Sequence, residues 1–329
     1  MSSLSPTRAG RLPHLGALRF SGPDCLGFLQ GQLSNDTRRL AEKQSLFAAY
    51  SSPQGRVLAL MHLLPHSSGV VAILPRELIL QTSESLRKFV LRAKVKIEDA
   101  GELSVAGVHD AAQLETFGST APRPDPATPG SAAHPAGTGY LESEGIGVAA
   151  VNGDPGRYWV IGAQEKLAER GLDSDGPRVE RDWRLADIRA GLPQIYLATR
   201  EAFVAQMLNL DLLGGISFSK GCYTGQEIIA RTQHLGRIKR RLYRLRLPEG
   251  AWQIGQALRL TDGRAGRLTE VIHGEDGWEA LAVLNREAGA AEGGRAADSA
   301  DGGPAAGSAA AAGVDAPIAA AALPLPYSV

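Results

Sequence analysis

Apolar residues at Leu26, Leu29 and Leu33 recur at helical spacing behind Ser21-Gly22-Pro23-Asp24. A proline and an acid suit a first turn, so residues 23–33 are predicted to form an amphipathic helix that ends at Asn35-Asp36. Leu18 and Phe20 before it suggest a short strand. Residues 47–50 and 56–64 are two apolar runs around Ser51-Ser52-Pro53-Gln54-Gly55, which reads as strand, turn, strand. A strand at 70–74, a helix at 83–91 and an alternating strand around Val95 and Ile97 follow. Residues 146–151 and 157–162 flank Asn152-Gly153-Asp154-Pro155-Gly156 as a hairpin. Helices are expected at 163–170, 182–190, 203–213 and 227–235. Strands and helices mixed in this way give an α+β fold with much antiparallel sheet.

From Lys239 the pattern changes. Tyr243, Leu245 and Leu247 alternate with Arg244 and Arg246, and further short strands follow at 258–260, 268–272 and 278–284, with a tight turn at Thr261-Asp262-Gly263-Arg264. This is the signature of a small all-β barrel. Two stretches hold almost nothing able to form a core: 118–139, rich in Pro, Ala, Gly, Ser and Thr, expected to be a mobile loop, and 288–317, an Ala/Gly tract expected to be a disordered insertion. The chain therefore divides into a flexible start at 1–14, an α+β region at 15–235 and a barrel at 236–329.

Composition narrows the setting. With 329 residues, 43% hydrophobic and 21% charged, the chain suits a soluble globular protein of two or three domains. The 35 basic and 35 acidic residues cancel, which argues against whole-protein steering to nucleic acid. No apolar run approaches the ~20 residues of a membrane helix, and the start lacks a signal-peptide core, so a cytoplasmic protein with no membrane partner is expected. Two cysteines, Cys25 and Cys222, make no disulfide framework.

The sharpest chemistry lies in Lys220-Gly221-Cys222-Tyr223-Thr224-Gly225-Gln226-Glu227, a tight glycine-flanked loop running into the apolar Ile228-Ile229-Ala230. A cysteine near a helix start and beside Lys220 is expected to lose its proton readily, making Cys222 and Lys220 the candidate reactive pair. The plainer alternative is a buried small hydrophobe. Thr224 and Glu227 have capping-box spacing, and Gln226 and Glu227 either bind a ligand or cap their own helix. Cys25, inside the first helix, reads as core. Seven scattered histidines show no zinc spacing, and no metal site is expected.

This loop, with Gly215-Ile216-Ser217-Phe218-Ser219 before it and Arg231-Thr232 after, resembles the signature of the YgfZ family. Phe28-Leu29-Gln30-Gly31-Gln32-Leu33-Ser34-Asn35-Asp36, Pro53-Gln54-Gly55-Arg56-Val57, Ala190-Gly191-Leu192-Pro193, Gln206-Met207-Leu208-Asn209-Leu210 and the closing Pro324-Leu325-Pro326-Tyr327 match in the right order. The resemblance covers most of 15–286. It implies a fold like the glycine-cleavage T-protein, with two folate-binding lobes and a C-terminal small β-barrel. It also implies tetrahydrofolate or a derivative as cofactor, and iron–sulfur enzymes, tRNA-thiolating ones among them, as client partners. The tryptophan linked to folate in the family matches Trp183, whose other reading is a core anchor. A second tryptophan of some members falls near Leu15, a departure at a pterin contact. Asn35 and Asp36 either present polar groups to the pterin or cap a turn.

Two rival functions stay open: a folate-dependent aminomethyltransferase, which needs a carboxylate placed to orient folate, and a tRNA-binding modification factor. The run Arg237, Lys239, Arg240, Arg241, Arg244 and Arg246 favours the last, while zero net charge and the lack of an aromatic stacking platform make direct nucleic-acid binding the weaker expectation.

Overall fold

A computed structural model describes residues 9–116, 138–234, 238–287 and 316–329, together with their packing. The elements run β1 (Ala9–Arg11), β2 (Leu15–Ser21), α1 (Cys25–Gln32), β3 (Gln44–Ser51), β4 (Val57–His66), β5 (Gly69–Pro75), α2 (Ile79–Arg87) and β6 (Lys96–Asp99). Then come β7 (Leu103–Val108), α3 (Ala111–Thr116), β8 (Thr138–Ser143), β9 (Ile146–Val151), β10 (Asp154–Ala163), α4 (Gln164–Glu169), α5 (Pro177–Ala190) and α6 (Gln226–His234). The last strands are β11 (Arg240–Leu247), β12 (Ala257–Arg259), β13 (Ala265–Gly274), β14 (Gly277–Asn285) and β15 (Ala321–Leu323).

Ten strands form one antiparallel sheet in the order β1-β7-β10-β9-β8-β3-β4-β5-β2-β6. It has two halves, joined where Gln44 and Ser45 of β3 pair with Gly139 and Thr138 of β8. The junction is fastened by hydroxyls, with Ser45 against Thr138 at 2.5 Å. The runs at β3, β4 and β5 are buried nearly throughout, because their sheet is covered on both faces. The second sheet runs β12-β13-β14-β11-β15. A parallel bridge between Leu260 and Ile318 links its two edges, so the sheet closes on its own apolar core of Leu245, Leu258, Leu268 and Leu284.

The helix α5 lies between the two sheets. Pro177 opens it at N1, which moves its start five residues ahead of the expected 182, and Gly191 ends it in the left-handed region at φ 68°. A substituent on Gly191 would strike Leu325 and Tyr327 of the C-terminal tail at 2.6 and 2.7 Å, and the Tyr327 hydroxyl donates to the Gly191 carbonyl at 2.7 Å. The tail is thus strapped over the end of α5.

Three expectations change. Residues 203–213 are not a helix: they hold a short 3-10 turn at Ala205–Leu208, stopped by Asn209 at φ 59°. The Gln206 and Asn209 side chains donate to the Ile229 and Leu242 carbonyls, so tertiary bonds outweigh the local helical pattern. The start is not loose throughout, since Ala9–Arg11 pairs with Val108–Ala106 of β7. The expected loop 118–139 and insertion 288–317 fall mostly outside the described residues, but Thr138 and Gly139 belong to β8, and Ala316 and Pro317 lead into the closing bridge. No helix among the described residues is long and apolar enough to cross a membrane.

Candidate functional site

The segment from Lys220 to Glu227 packs on the end of α1. The Lys220 ammonium points inwards and donates to the carbonyls of Gln30, Leu33 and Asn35 at 2.7, 2.6 and 2.8 Å. Those of Gln30 and Leu33 are acceptors that the end of α1 leaves without intrahelical partners, and a cation there also meets the negative pole of the helix. Burial pushes the ammonium down to about 8, with Asp36 pulling the other way. Lys220 is thus a fastener, its ammonium engaged by three backbone carbonyls. Cys222 is exposed, and α6 begins four residues beyond it at Gln226, so the thiol does not sit in the first helical turn. Cys25 is buried, its thiol donating to Phe20 O at 3.4 Å, and burial raises its pKa.

The capping box is also corrected. Thr224 bonds across to Gln32, and Glu227 pairs with Arg231 at 2.8 Å along α6. Gln226 accepts from the Tyr223 amide at 3.3 Å, which is the capping alternative weighed for it. Asn35 and Asp36 are engaged internally. The Asn35 amide donates to Phe47 O at 2.9 Å and Gly214 O at 2.8 Å. Asp36 caps the turn at Thr37–Glu42 and pairs with Arg38 at 2.6 Å, and the Arg38 guanidinium holds its carboxyl down at about 2.

Two glycines make the close approach that seats this loop. Gly225, at φ 81°, would place a Cβ 2.6 Å from Ser52 O, and Gly55, at φ 71°, would place one 2.8 Å from Ile228. The Ser51–Gly55 turn and the cysteine loop therefore interlock.

Trp183 is 1% exposed. Its ring lies against Trp159 at 4.8 Å and under the Arg157 guanidinium at 4.5 Å, and a Cβ on Gly107 would meet it at 2.3 Å. The free stacking face expected of Trp183 is absent in this packing: the indole anchors the core. Leu15 lies close by, lining a cavity of ≈10 Å³ with His14, His62, Trp159, Asp187 and Tyr196. That is room for about one water molecule.

The polar atoms around this cavity carry strain. Trp159 Nε1 and His62 Nδ1 are buried with no hydrogen-bond partner. Burial drives the His62 imidazole down to about 3, so it is neutral, stacked on Phe47 at 4.6 Å and tilted to Trp159 at 4.9 Å. Burial raises the Asp187 carboxyl, against Arg157 at 2.7 Å. Arg157 also meets Asp154 at 2.8 Å. Beyond Asp187, Arg184 pairs with Glu270 of β13 at 2.6 Å, and Tyr196 donates to the same carboxylate at 2.5 Å.

Two arginines of the basic run are held in ion pairs, and a third is bonded to a neutral amide. Arg241 is clamped by Asp211 at 2.6 and 2.8 Å, Arg244 pairs with Glu279 at 2.6 Å, and Arg240 donates to Asn285 at 3.0 Å. Arg237 lies outside the described residues. Among the described residues no group of three or more His, Cys, Asp or Glu is placed to hold a metal ion.

The structure thus sorts the candidates into two places: Asn35, Asp36, Lys220, Cys222, Gln226 and Glu227 around the cysteine loop, and Leu15 and Trp183 around the tryptophan cavity. Sequence reasoning missed Trp159, His62 and Asp187. Asp187 had a signal, standing four residues from Trp183 on one face of the same helix.

No family model matches the chain. A tRNA-modifying protein YgfZ of Klebsiella pneumoniae (strain 342) is 32% identical over 280 residues, 80% of this chain and 80% of that one. Its counterpart in Colwellia psychrerythraea is 32% identical over 253 residues, 74% and 72% of the two chains. That of Hamiltonella defensa is 29% identical over 266 residues, 79% and 73% of the two. Among solved structures, the glycine cleavage system aminomethyltransferase T from Bartonella henselae superposes with a TM-score of 0.53 at 15% identity, covering 85% of this chain and 79% of that one. The α+β fold is therefore T-protein-like.

Proposed function

Because the chain belongs to the YgfZ family, we propose that it is a folate-binding accessory protein for the assembly or repair of iron–sulfur enzymes, acting through tetrahydrofolate and the Cys222 thiol. The relatives are described as tRNA-modifying proteins. For this chain we assign that outcome to tRNA-thiolating clients rather than to direct RNA contact, since Arg241 and Arg244 of the basic run are held by Asp211 and Glu279. The compartment we propose is the cytosol, where both thiols stay free.

The observation that carries this reading is an exposed cysteine on a loop whose root is fixed by three hydrogen bonds from one buried ammonium. A thiol held out on a rigid base meets a partner without paying to order its own loop.

For the folate, the tryptophan cavity has the fitting donor set. Asp187 is a carboxylate that accepts from the amino and ring N–H groups of a pterin edge, and the unpaired Trp159 Nε1 and His62 Nδ1 supply further polar contacts. Leu15 supplies apolar wall. As packed the cavity admits about one water, so a bound pterin requires the wall at 192–196 to yield. When bound, a reduced folate supplies nitrogens able to carry one-carbon units. The residues here hold and orient it and keep water out.

Thermal melts with and without tetrahydrofolate test the reading. A ligand taken by the native state alone adds ~2.7 kcal/mol at a hundredfold excess over its dissociation constant. Asp187→Asn should shrink the shift. No shift at saturating tetrahydrofolate would refute folate binding. A second reading, folate-dependent aminomethyl transfer, is favoured by one observation: Asp187 is a half-buried carboxylate with a raised pKa, suited to proton work. Formation of methylene-tetrahydrofolate from an aminomethyl donor would select it.

A further inference from the structure

We propose that the cleft between α2 and the cysteine loop is a second binding site, apart from the tryptophan cavity, for a small carboxylate with an apolar body. The cleft holds ≈470 Å³, within the range of roughly 300–1,000 Å³ typical of small-molecule sites. Its lining provides both parts of such a ligand's recognition.

The polar part is Arg200, Ser51 and Lys88. Arg200 Nε and Ser51 Oγ are buried and have no hydrogen-bond partner, an arrangement that a bound oxygen acceptor relieves. Among the described residues the one ion pair of Arg200 is to Glu201 at 3.2 Å, a carboxylate 55% exposed, and such pairs are weak. Lys88 stands exposed at the rim. The apolar part is Leu58 and Phe89, the latter 41% exposed although it follows directly on the buried face of α2. Glu84 and Glu201 also line the cleft. Their charges repel a polyanion, which restricts the ligand to a weakly charged acid and argues against inorganic phosphate.

The floor of the cleft is also the seat of the cysteine loop. Thr224, two residues on from Cys222, lines the cleft, and the Gly225 Cβ position is 3.2 Å from Ser51. An occupant therefore touches the segment that presents the thiol.

The site does not rest on the folate reading, and the two fail separately. The test is titration calorimetry of the full chain with benzoate and phenylacetate, with inorganic phosphate as the comparison. Binding of the arylcarboxylates but not phosphate is expected. Arg200→Gln should weaken it about tenfold or more and Ser51→Ala about threefold, from loss of charge-assisted and neutral hydrogen bonds respectively. Asp187→Asn, in the other cavity, should leave it unchanged. Displacement of the probe by tetrahydrofolate would make the cleft part of a folate site and overturn a separate one; no displacement is expected. Absence of binding at millimolar probe, or equal binding by Arg200→Gln and Ser51→Ala variants whose melts match the parent chain, overturns the proposal.

Discussion

Lys220 donates to Leu33 at 2.6 Å, across 187 residues of sequence. One charged nitrogen thus joins the most distinctive loop of the chain to the end of its first helix, and the motif lysine is a matter of architecture. Lys220→Met keeps most of the side-chain volume but leaves the carbonyls of Gln30, Leu33 and Asn35 without their donor. We expect a loss of about 3 kcal/mol in urea unfolding, since charge-assisted bonds contribute about 1.5–3 kcal/mol each and neighbours compensate in part. A loss under about 1 kcal/mol would show that water replaces the ammonium easily.

The two cysteines should separate cleanly. Cys222→Ser is expected to shift stability by less than about 0.5 kcal/mol, as for other exposed sites, yet to abolish rescue of iron–sulfur enzyme activity in cells lacking the gene. Cys25→Ser should cost about 1–3 kcal/mol by burying a hydroxyl, and should keep function. Lys220 is engaged by three carbonyls, and alkylation of Cys222 near neutral pH measures whether its charge still activates the thiol. A rate equal to that of a free thiol would remove activation from the account while leaving exposure as the useful property.

Stability should fall with acid in a window set by His62 and His109. Burial lowers them to about 3 and about 4, so the folded state resists protons that the unfolded chain takes up below about 6.5. Their contribution is complete above about 6.5 and is lost as pH falls from there, at about 1.4 kcal/mol per pH unit for each histidine. His62→Phe keeps a ring between Phe47 and Trp159 and should roughly halve that slope. Denaturant midpoints between pH 7 and 5 measure it; an unchanged slope would mean that His62 is reached by solvent. Asp36 acts lower down, its stabilising pair with Arg38 being lost as pH falls from about 4 to about 2.

The fold was legible where patterns are local. The strand-turn-strand around Pro53, the 152–156 hairpin and the barrel strands follow period-2 alternation and glycine turns, and the structure has them. The region 203–213 misled because its apolar spacing is helical while Gln206 and Asn209 bond to partners 23 and 33 residues away. The site was legible as a motif and not as geometry. Lysine beside cysteine suggests activation, and nothing in the sequence says which way the lysine turns. Trp159 was invisible as a partner of Trp183, because it pairs with Gly107 in the sheet and α5 lays the Trp183 ring over that glycine.

The strap from Tyr327 to Gly191 has a consequence in time. The two residues are 136 positions apart. Translation proceeds at about 5–20 residues per second, so on the order of ten seconds passes between synthesis of the one and of the other. During that interval the end of α5 at Gly191 lacks its cover. A nascent chain therefore has every strand of its ten-stranded sheet before the strap that closes over α5 exists.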